Sequence, residues 1–331
     1  MKRREFIKQG TLTTGLLSLG AIPGRESALG QSIESQDKAA EKPGYIPKRH
    51  YGKTDIMLSI LGFGGIVVRD TEQKEADRIV AQAVEKGVNY FDVAPSYGNA
   101  EVILGPALKP YRKNVFLACK TGKRDYASAK AEFEQSLKRM ESDYFDLYQL
   151  HAITDVEKDV DAAFGDDGVM KLLMEEKKQG RIRFLGFSAH SPAAAMEAMR
   201  RYDFDSVLFP VNFAEYLKGQ FSPEVIKAAQ EKQMAILALK MLARQQAPQD
   251  DPIRKQYPKC WYRPITEPEE AKLAMAFTFS QPVTAAIPPG DVRLFTMAME
   301  LLPDLKPITP EQIETLKTLA ATLEPIFKKQ A

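Results

Sequence analysis

From about residue 59 onward, the pattern of apolar and polar positions alternates between two kinds of segment. Short continuous apolar runs, such as 88–95, 115–121 and 144–151, are separated by longer stretches in which apolar residues recur every three or four positions. Over 72–86, Ala76, Ile79, Val80, Ala83 and Val84 carry that helical spacing between charges, and Gly87 ends it. The same reading predicts helices over 100–108, 128–140, 169–179, 223–232 and 267–279, with another starting at Pro192. It predicts strands over 59–65, 182–190, 207–213, 235–241 and 283–288 as well. These runs lack the in-and-out alternation of a half-exposed sheet, as parallel strands covered on both faces should. Eight strands with intervening helices predict a (β/α)8 TIM barrel. A hairpin turning at Gly52-Lys53-Thr54-Asp55 precedes the first strand, and extra C-terminal helices over 291–302 and 309–328 follow the last. A doubly wound open sheet is the runner-up. It calls for Gly-x-Gly-x-x-Gly after its first strand, and Gly62-Phe63-Gly64-Gly65 lacks the third glycine.

Composition narrows the class. A chain of 331 residues that is 44% apolar can bury one large core, so a single domain over 48–331 is the simplest division. The formal net charge of +2, with both signs interspersed, gives no stripe for nucleic acid and no polybasic membrane tether. Cys119 and Cys260 are too few for a disulfide framework, and Cys119 reads as a core position. His50, His151 and His190 are not paired at ligand spacing, so no metal site is expected.

The N-terminus reads differently. Lys2-Arg3-Arg4 precedes a modest apolar run from Thr11 to Ile22, and Ala28-Leu29-Gly30 offers small residues for cleavage. Residues 1–30 look like a twin-arginine signal peptide, removed near residue 30 to leave an exported, periplasmic protein; the run is too short for a stable membrane anchor. Residues 31–47, polar and with two prolines, read as a linker.

Candidate chemistry gathers at three consecutive strand ends. One run ends in Asp92 before Pro95-Ser96-Tyr97-Gly98, the next ends in Cys119-Lys120, and the third in Leu150-His151. Singly, each residue has a plain structural reading: a helix cap, a packing tyrosine, a solvated lysine, a core histidine. Together, an acid, a phenol, an amine and an imidazole at the C-terminal mouth of a barrel stand where catalysts sit. Over roughly residues 50–325 the chain resembles the aldo-keto reductase family, whose tetrad is Asp, Tyr, Lys and His in this order and at similar spacing. The resemblance implies that the hairpin plugs the barrel bottom and that a hydride passes between a nicotinamide and the carbonyl or alcohol of a small substrate. A free phenol is a poor acid at neutral pH, and a neighbouring ammonium lowers its pKa. Tyr97 is then general acid and base, Lys120 tunes it, Asp92 holds Lys120, and His151 orients the substrate oxygen or relays a proton. A nicotinamide-binding sensor with little turnover is the alternative in a different class, and plain cytoplasmic aldehyde reduction is a third.

By the same resemblance the cofactor lies across the mouth. Gly64 lets it approach, and Ser188 matches the carboxamide-binding Ser, although Ala189 stands in the usual Asn position and Leu208 in that of a Gln. Asn212 is the polar substitute considered. Leu239 replaces a stacking Tyr, and Lys240 after it faces pyrophosphate. Pro288 and Gly290 flank Pro289, which takes the place of a Lys in the last-strand loop, and Arg293 suits a 2′-phosphate. NADP is therefore the expected cofactor, with NAD as the alternative. Export implies that the dinucleotide stays bound through turnover. The substrate loops are expected to be 67–70, with Val67, Val68, Arg69 and Asp70, and 243–265, with Tyr257, Trp261, Tyr262 and Arg263. Their aromatic faces and cations suit a sugar-like or other polar carbonyl compound.

Overall fold

The computed structural model describes residues 44–329. The expected signal peptide and the linker as far as residue 43 lie outside the described residues. In chain order the strands are β1 (Lys48–His50), β2 (Met57–Ser59), β3 (Gly62–Gly64), β4 (Tyr90–Asp92), β5 (Phe116–Thr121), β6 (Phe145–Ile153), β7 (Ile182–Ala189), β8 (Ser206–Pro210), β9 (Ala235–Leu239), β10 (Ala243–Gln246), β11 (Tyr262–Pro264) and β12 (Ala285–Ala286). The helices are α1 (Gln73–Glu85), α2 (Ala100–Leu108), α3 (Tyr126–Arg139), α4 (Ala162–Phe164), α5 (Val169–Lys178), α6 (Pro192–Arg201), α7 (Phe213–Leu217), α8 (Pro223–Glu231), α9 (Ile253–Gln256), α10 (Pro268–Ser280), α11 (Val292–Leu301) and α12 (Pro310–Thr322).

Strands β3 to β9 pair in sequence order and all in parallel, with β12 beside β9. The sheet closes on itself through a parallel bridge between Leu61 and Ala286, so the expected (β/α)8 barrel forms. Alternation sorts the strand residues. Tyr90, Phe116, Ala118, Leu147 and Leu237 form an inner cluster, whereas Phe91, Leu117 and Tyr148 join the larger layer between barrel and helices. The antiparallel β1–β2 hairpin contributes Tyr51 and Leu58 to the inner cluster, with the Tyr51 ring 5.0 Å from that of Phe116, so it plugs the bottom.

The structure departs from the sequence reading in several places, among them the last strand, read over 283–288, which is only Ala285–Ala286. Ile46, assigned to the linker, is fully buried and its N–H donates to the Lys86 carbonyl at 2.8 Å, so packed chain begins earlier. The strand read over 207–213 stops at Pro210, because Asn212 caps the short helix α7. The last helix ends at Thr322, since Pro325 excludes helical backbone before it, and residues 323–329 fold back as a tail. The stretch 243–265, read as a long loop, contains the antiparallel pair β10–β11.

Candidate active site

Parallel register decides which side chains meet. Asp92 ends β4 beside Gly64 on one side and Ala118 on the other, while Lys120, two residues beyond Ala118 on β5, pairs with Gln149 of β6. The period of two turns Asp92, Lys120 and Gln149 to the same face. Asp92 and Lys120 are almost wholly buried and form an ion pair, and Lys120 Nζ also donates to the Val93 carbonyl at 3.2 Å. Tyr97 reaches them from the turn after β4. Its N–H donates to the Ala94 carbonyl at 3.0 Å, and Gly98 follows with φ +65°, a left-handed conformation that suits glycine. The Lys120 ammonium then lies 5.1 Å from the Tyr97 ring centre, and the His151 ring meets Tyr97 edge-on at 5.8 Å. The four predicted residues converge.

Electrostatics divide their roles. Burial works against the Lys120 ammonium, but Asp92 and Tyr97 outweigh it, and the amine sits above its ordinary pKa. Burial raises the Tyr97 phenol, and Lys120 pulls it back only in part, so the net direction is upward. Desolvation thus reverses the lowering that the ammonium alone would bring. Burial, with Lys120, His190 and Arg124 adding, lowers His151 to about 3, which leaves it neutral at pH 7. Ser96 Oγ lies 3.4 Å from His151 Nδ1, and Arg124 donates to the His151 carbonyl at 2.8 Å.

Gln149 escaped the sequence reading. Its Nε2 donates to Asp92 Oδ1 at 3.0 Å. Its position two residues before His151, on the same face of the same strand, was the signal that could have found it.

The expected cofactor residues stand less uniformly. Gly64 is buried at the end of β3, and an added Cβ would meet Ile287 Cγ2 at 3.0 Å. Ser188 is buried, and its hydroxyl accepts from the Ala152 N–H at 2.7 Å, which fixes the kink where Ala152 takes φ +52° just after His151. Asn212 is fully buried, with Oδ1 accepting from Ala214 and Glu215 N–H and Nδ2 donating to the Lys240 carbonyl at 3.0 Å. Its side chain serves the backbone as the cap of α7. Leu208 belongs to the inner cluster, and Leu239 is half-buried beside it. Lys240 has φ +66°, and its Nζ lies 5.0 and 4.7 Å from the Trp261 and Tyr262 ring centres; burial lowers it to about 8. Pro288 is buried. Gly290 packs so tightly on Ile66 that a Cβ would lie 2.3 Å from Ile66 Cγ2. Arg293 pairs with Asp291 at 2.8 Å, donates to the Gln256 carbonyl and lies over the Tyr257 ring at 4.3 Å.

Of the expected substrate residues, Val67 is core, with its carbonyl accepting from Lys259 Nζ at 2.8 Å, and Val68 is buried with it. Both occupy packing positions. Arg69 lies against Gly98 and 3.3 Å from Asp70. Trp261 is 48% exposed, whereas Tyr262 is buried with Ala243 and Ile326. Arg263 pairs with Asp251 at 2.7 Å. Both cysteines are free and buried, and no group of three or more His, Cys, Asp or Glu suited to a metal occurs among the described residues.

The sequence model of the Aldo/keto reductase family matches residues 60–259, and the chain belongs to that family. It is 29% identical over 205 residues to an uncharacterized oxidoreductase, YqkF, of Bacillus subtilis, a match covering 58% of this chain and 63% of that protein. It is 28% identical over 163 residues to L-galactose dehydrogenase of Arabidopsis thaliana, covering 43% and 48%. The aligned stretches thus span less than two thirds of either relative. The structure superposes on an aldo-keto reductase of Bacillus halodurans in its holo form with TM-score 0.66 and 24% identity, covering 86% of this chain and 100% of that one, a likeness of fold.

Proposed function

We propose that the protein is an NAD(P)-dependent oxidoreductase that interconverts the carbonyl and alcohol of a small polar or sugar-like substrate, with Tyr97 as general acid and base. The observation that carries this reading is the convergence of Asp92, Tyr97, Lys120 and His151 at one mouth of the barrel. In reduction the Tyr97 hydroxyl gives its proton to the carbonyl oxygen, while the adjacent ammonium stabilises the phenolate left behind. Neutral His151 donates an N–H to the same oxygen and orients it. Asp92 keeps Lys120 charged and in place. In oxidation the phenolate takes the proton back.

A nicotinamide dinucleotide supplies or accepts the hydride when bound. The residues present fit it unevenly. Lys240, which forms no salt bridge among the described residues, offers an anion-facing cation, and Gly64 keeps the end of β3 bare. Leu239, Pro288 and Gly290 complete the proposed cradle, with Ser188 at its edge. Arg293, although paired with Asp291, is exposed enough to meet a 2′-phosphate, which favours NADP over NAD. Trp261, exposed at 48%, supports a sugar-like substrate by offering part of an aromatic ring to solvent, and the relative named L-galactose dehydrogenase supports the same class.

Export through the twin-arginine route belongs to the same proposal and rests on Arg3-Arg4 and the apolar run after them. A mature N-terminus near Gln31 supports it, and an intact N-terminus on protein from a twin-arginine-competent host opposes it. Activity is tested by following reduced nicotinamide absorbance with a panel of aldoses and aldehydes. Consumption by the wild type that disappears in Tyr97→Phe supports the reading; equal rates in the two proteins would overturn it.

A further inference from the structure

The tetrad leaves one buried polar group in its midst without a role. Gln149 is fully buried on β6, in register with Lys120 of β5. Its Nε2 lies 3.0 Å from Asp92 Oδ1, and the orientation is forced, since an ionised carboxylate only accepts hydrogen bonds. Among the described residues its Oε1 has no hydrogen-bond partner, so the amide's contribution is its N–H. Asp92 needs that donor. Lys120 takes Oδ2, and among the described residues the only other contact to Oδ1 is the Tyr90 hydroxyl at a long 3.5 Å. A carboxylate buried from water is stable only when its oxygens are hydrogen-bonded.

We propose that Gln149 is a positioning residue for the reaction: its amide N–H holds the Asp92 carboxylate as the partner of Lys120, and through Lys120 governs the proton on Tyr97. This rests on the proposed oxidoreductase function, and the chain of effect is physical at each link. Without the Gln149 donor, the Asp92 carboxylate loses its fixed place against Lys120, and the buried ammonium loses the counter-charge that offsets its desolvation. Less positive charge then faces Tyr97, and its phenol ionises at higher pH. The charged and titratable groups facing the carboxylate and phenol are Tyr90 from β4, Lys120 from β5 and His151 from β6, with Cys119 on the outer side of β5. His151 is neutral over the working range, so Lys120 supplies the variable charge.

The test compares wild type, Gln149→Leu and Gln149→Glu in two measurements. The first is the pH profile of kcat for oxidation of a sugar alcohol found active with the wild type. The second is ultraviolet difference titration of the phenol, each protein against its own Tyr97→Phe counterpart, which needs no turnover. Gln149→Leu is expected to move the acidic limb of oxidation and the Tyr97 titration upward together, by about one pH unit, a tenfold change in the ionisation equilibrium. Gln149→Glu keeps the shape and, while protonated, the donor, so it retains activity at low pH and gains a basic limb where its proton is lost. A uniform loss at all pH values with an unmoved titration, or unchanged profiles in both variants, overturns the proposal. If the wild type turns over no substrate, the functional reading fails and the titration still decides the role of Gln149.

Discussion

The two halves of the barrel mouth handle their polar groups in different ways. At the ends of β4, β5 and β6, Asp92 is held across strands by Lys120 and by the Gln149 amide N–H, with Tyr97 and His151 packed over them. At the ends of β7, β8 and β9, Ser188 serves the Ala152 N–H, Asn212 caps α7, and Lys240 is turned over two aromatic rings by a left-handed residue. The tail after α12 packs against that second half. Glu215 accepts from the Ile326 N–H, Lys329 N–H donates to the Gly219 carbonyl, and Phe327 stacks on His190 and Phe221. One half is a charge network carried by strand register. The other is a set of backbone supports carried by loops, so a polar residue at a strand end argues for ligand contact only after its hydrogen bonds have been counted.

The sharpest way to break that contrast is Tyr97→Phe, which is expected to lower kcat about 10²- to 10⁴-fold while nucleotide binding, read by fluorescence titration, stays unchanged. Next in size is stability. Lys120→Met leaves the Asp92 charge buried without its partner and should cost about 3–5 kcal/mol in urea unfolding. Ser188→Ala in the other half leaves one N–H unpaired and should cost about 1–3 kcal/mol. Equal losses would erase the distinction between the halves.

The halves also differ in pH response. The fold keeps His151 neutral down to about 3, whereas the unfolded chain takes up that proton near the ordinary 6.5, so stability falls as pH drops between those values. His190 acts in the same direction, being lowered to about 4 by burial and then Lys240. Glu215 has the opposite sign. Burial raises it to about 7, so its contribution is complete below the ordinary value of 4.5 and is lost as pH rises through about 7. Trp261, the chain's single tryptophan, touches Phe327 edge-on at 6.1 Å and reports the tail. Its emission should change as pH passes about 7 in the wild type and hold steady in Glu215→Gln. The smallest effect belongs to Arg293→Ala. Because the guanidinium is exposed and already paired, the KM for NADP should rise no more than about fivefold, with that for NAD unmoved.

The barrel was legible because each strand is a short apolar run and each helix a periodic one, so boundaries such as 100–108 and 116–121 fall within a residue or two of their reading. The tetrad residues were legible for a related reason. A strand end fixes direction, and a period of two fixes the face. Gln149 obeyed the same rule and was missed because an amide invites no reaction by itself. The second half of the mouth was not legible, since nothing local in Asn212 distinguishes a helix cap from a ligand contact. Likewise the burial of Val67 and Tyr262 depends on chain far away, such as Lys259 and Ile326. The upward direction of the Tyr97 phenol depends on how much protein surrounds it, a quantity no spacing encodes.

The barrel's closure has its own consequence. The last link of the cylinder is a bridge between Leu61, the residue just before the three-residue β3, and Ala286 of the two-residue β12. Across it the plug reaches with Arg49, whose guanidinium donates to the Val283 carbonyl at 2.7 Å and to the Phe279 carbonyl at 3.0 Å. The earliest folded residues thus act as a latch on some of the latest. Local opening in which deuterium replaces amide hydrogen should start along this seam before it reaches β6 and β7, and Arg49→Ala should hasten it there while leaving the far wall of the cylinder as slow as before.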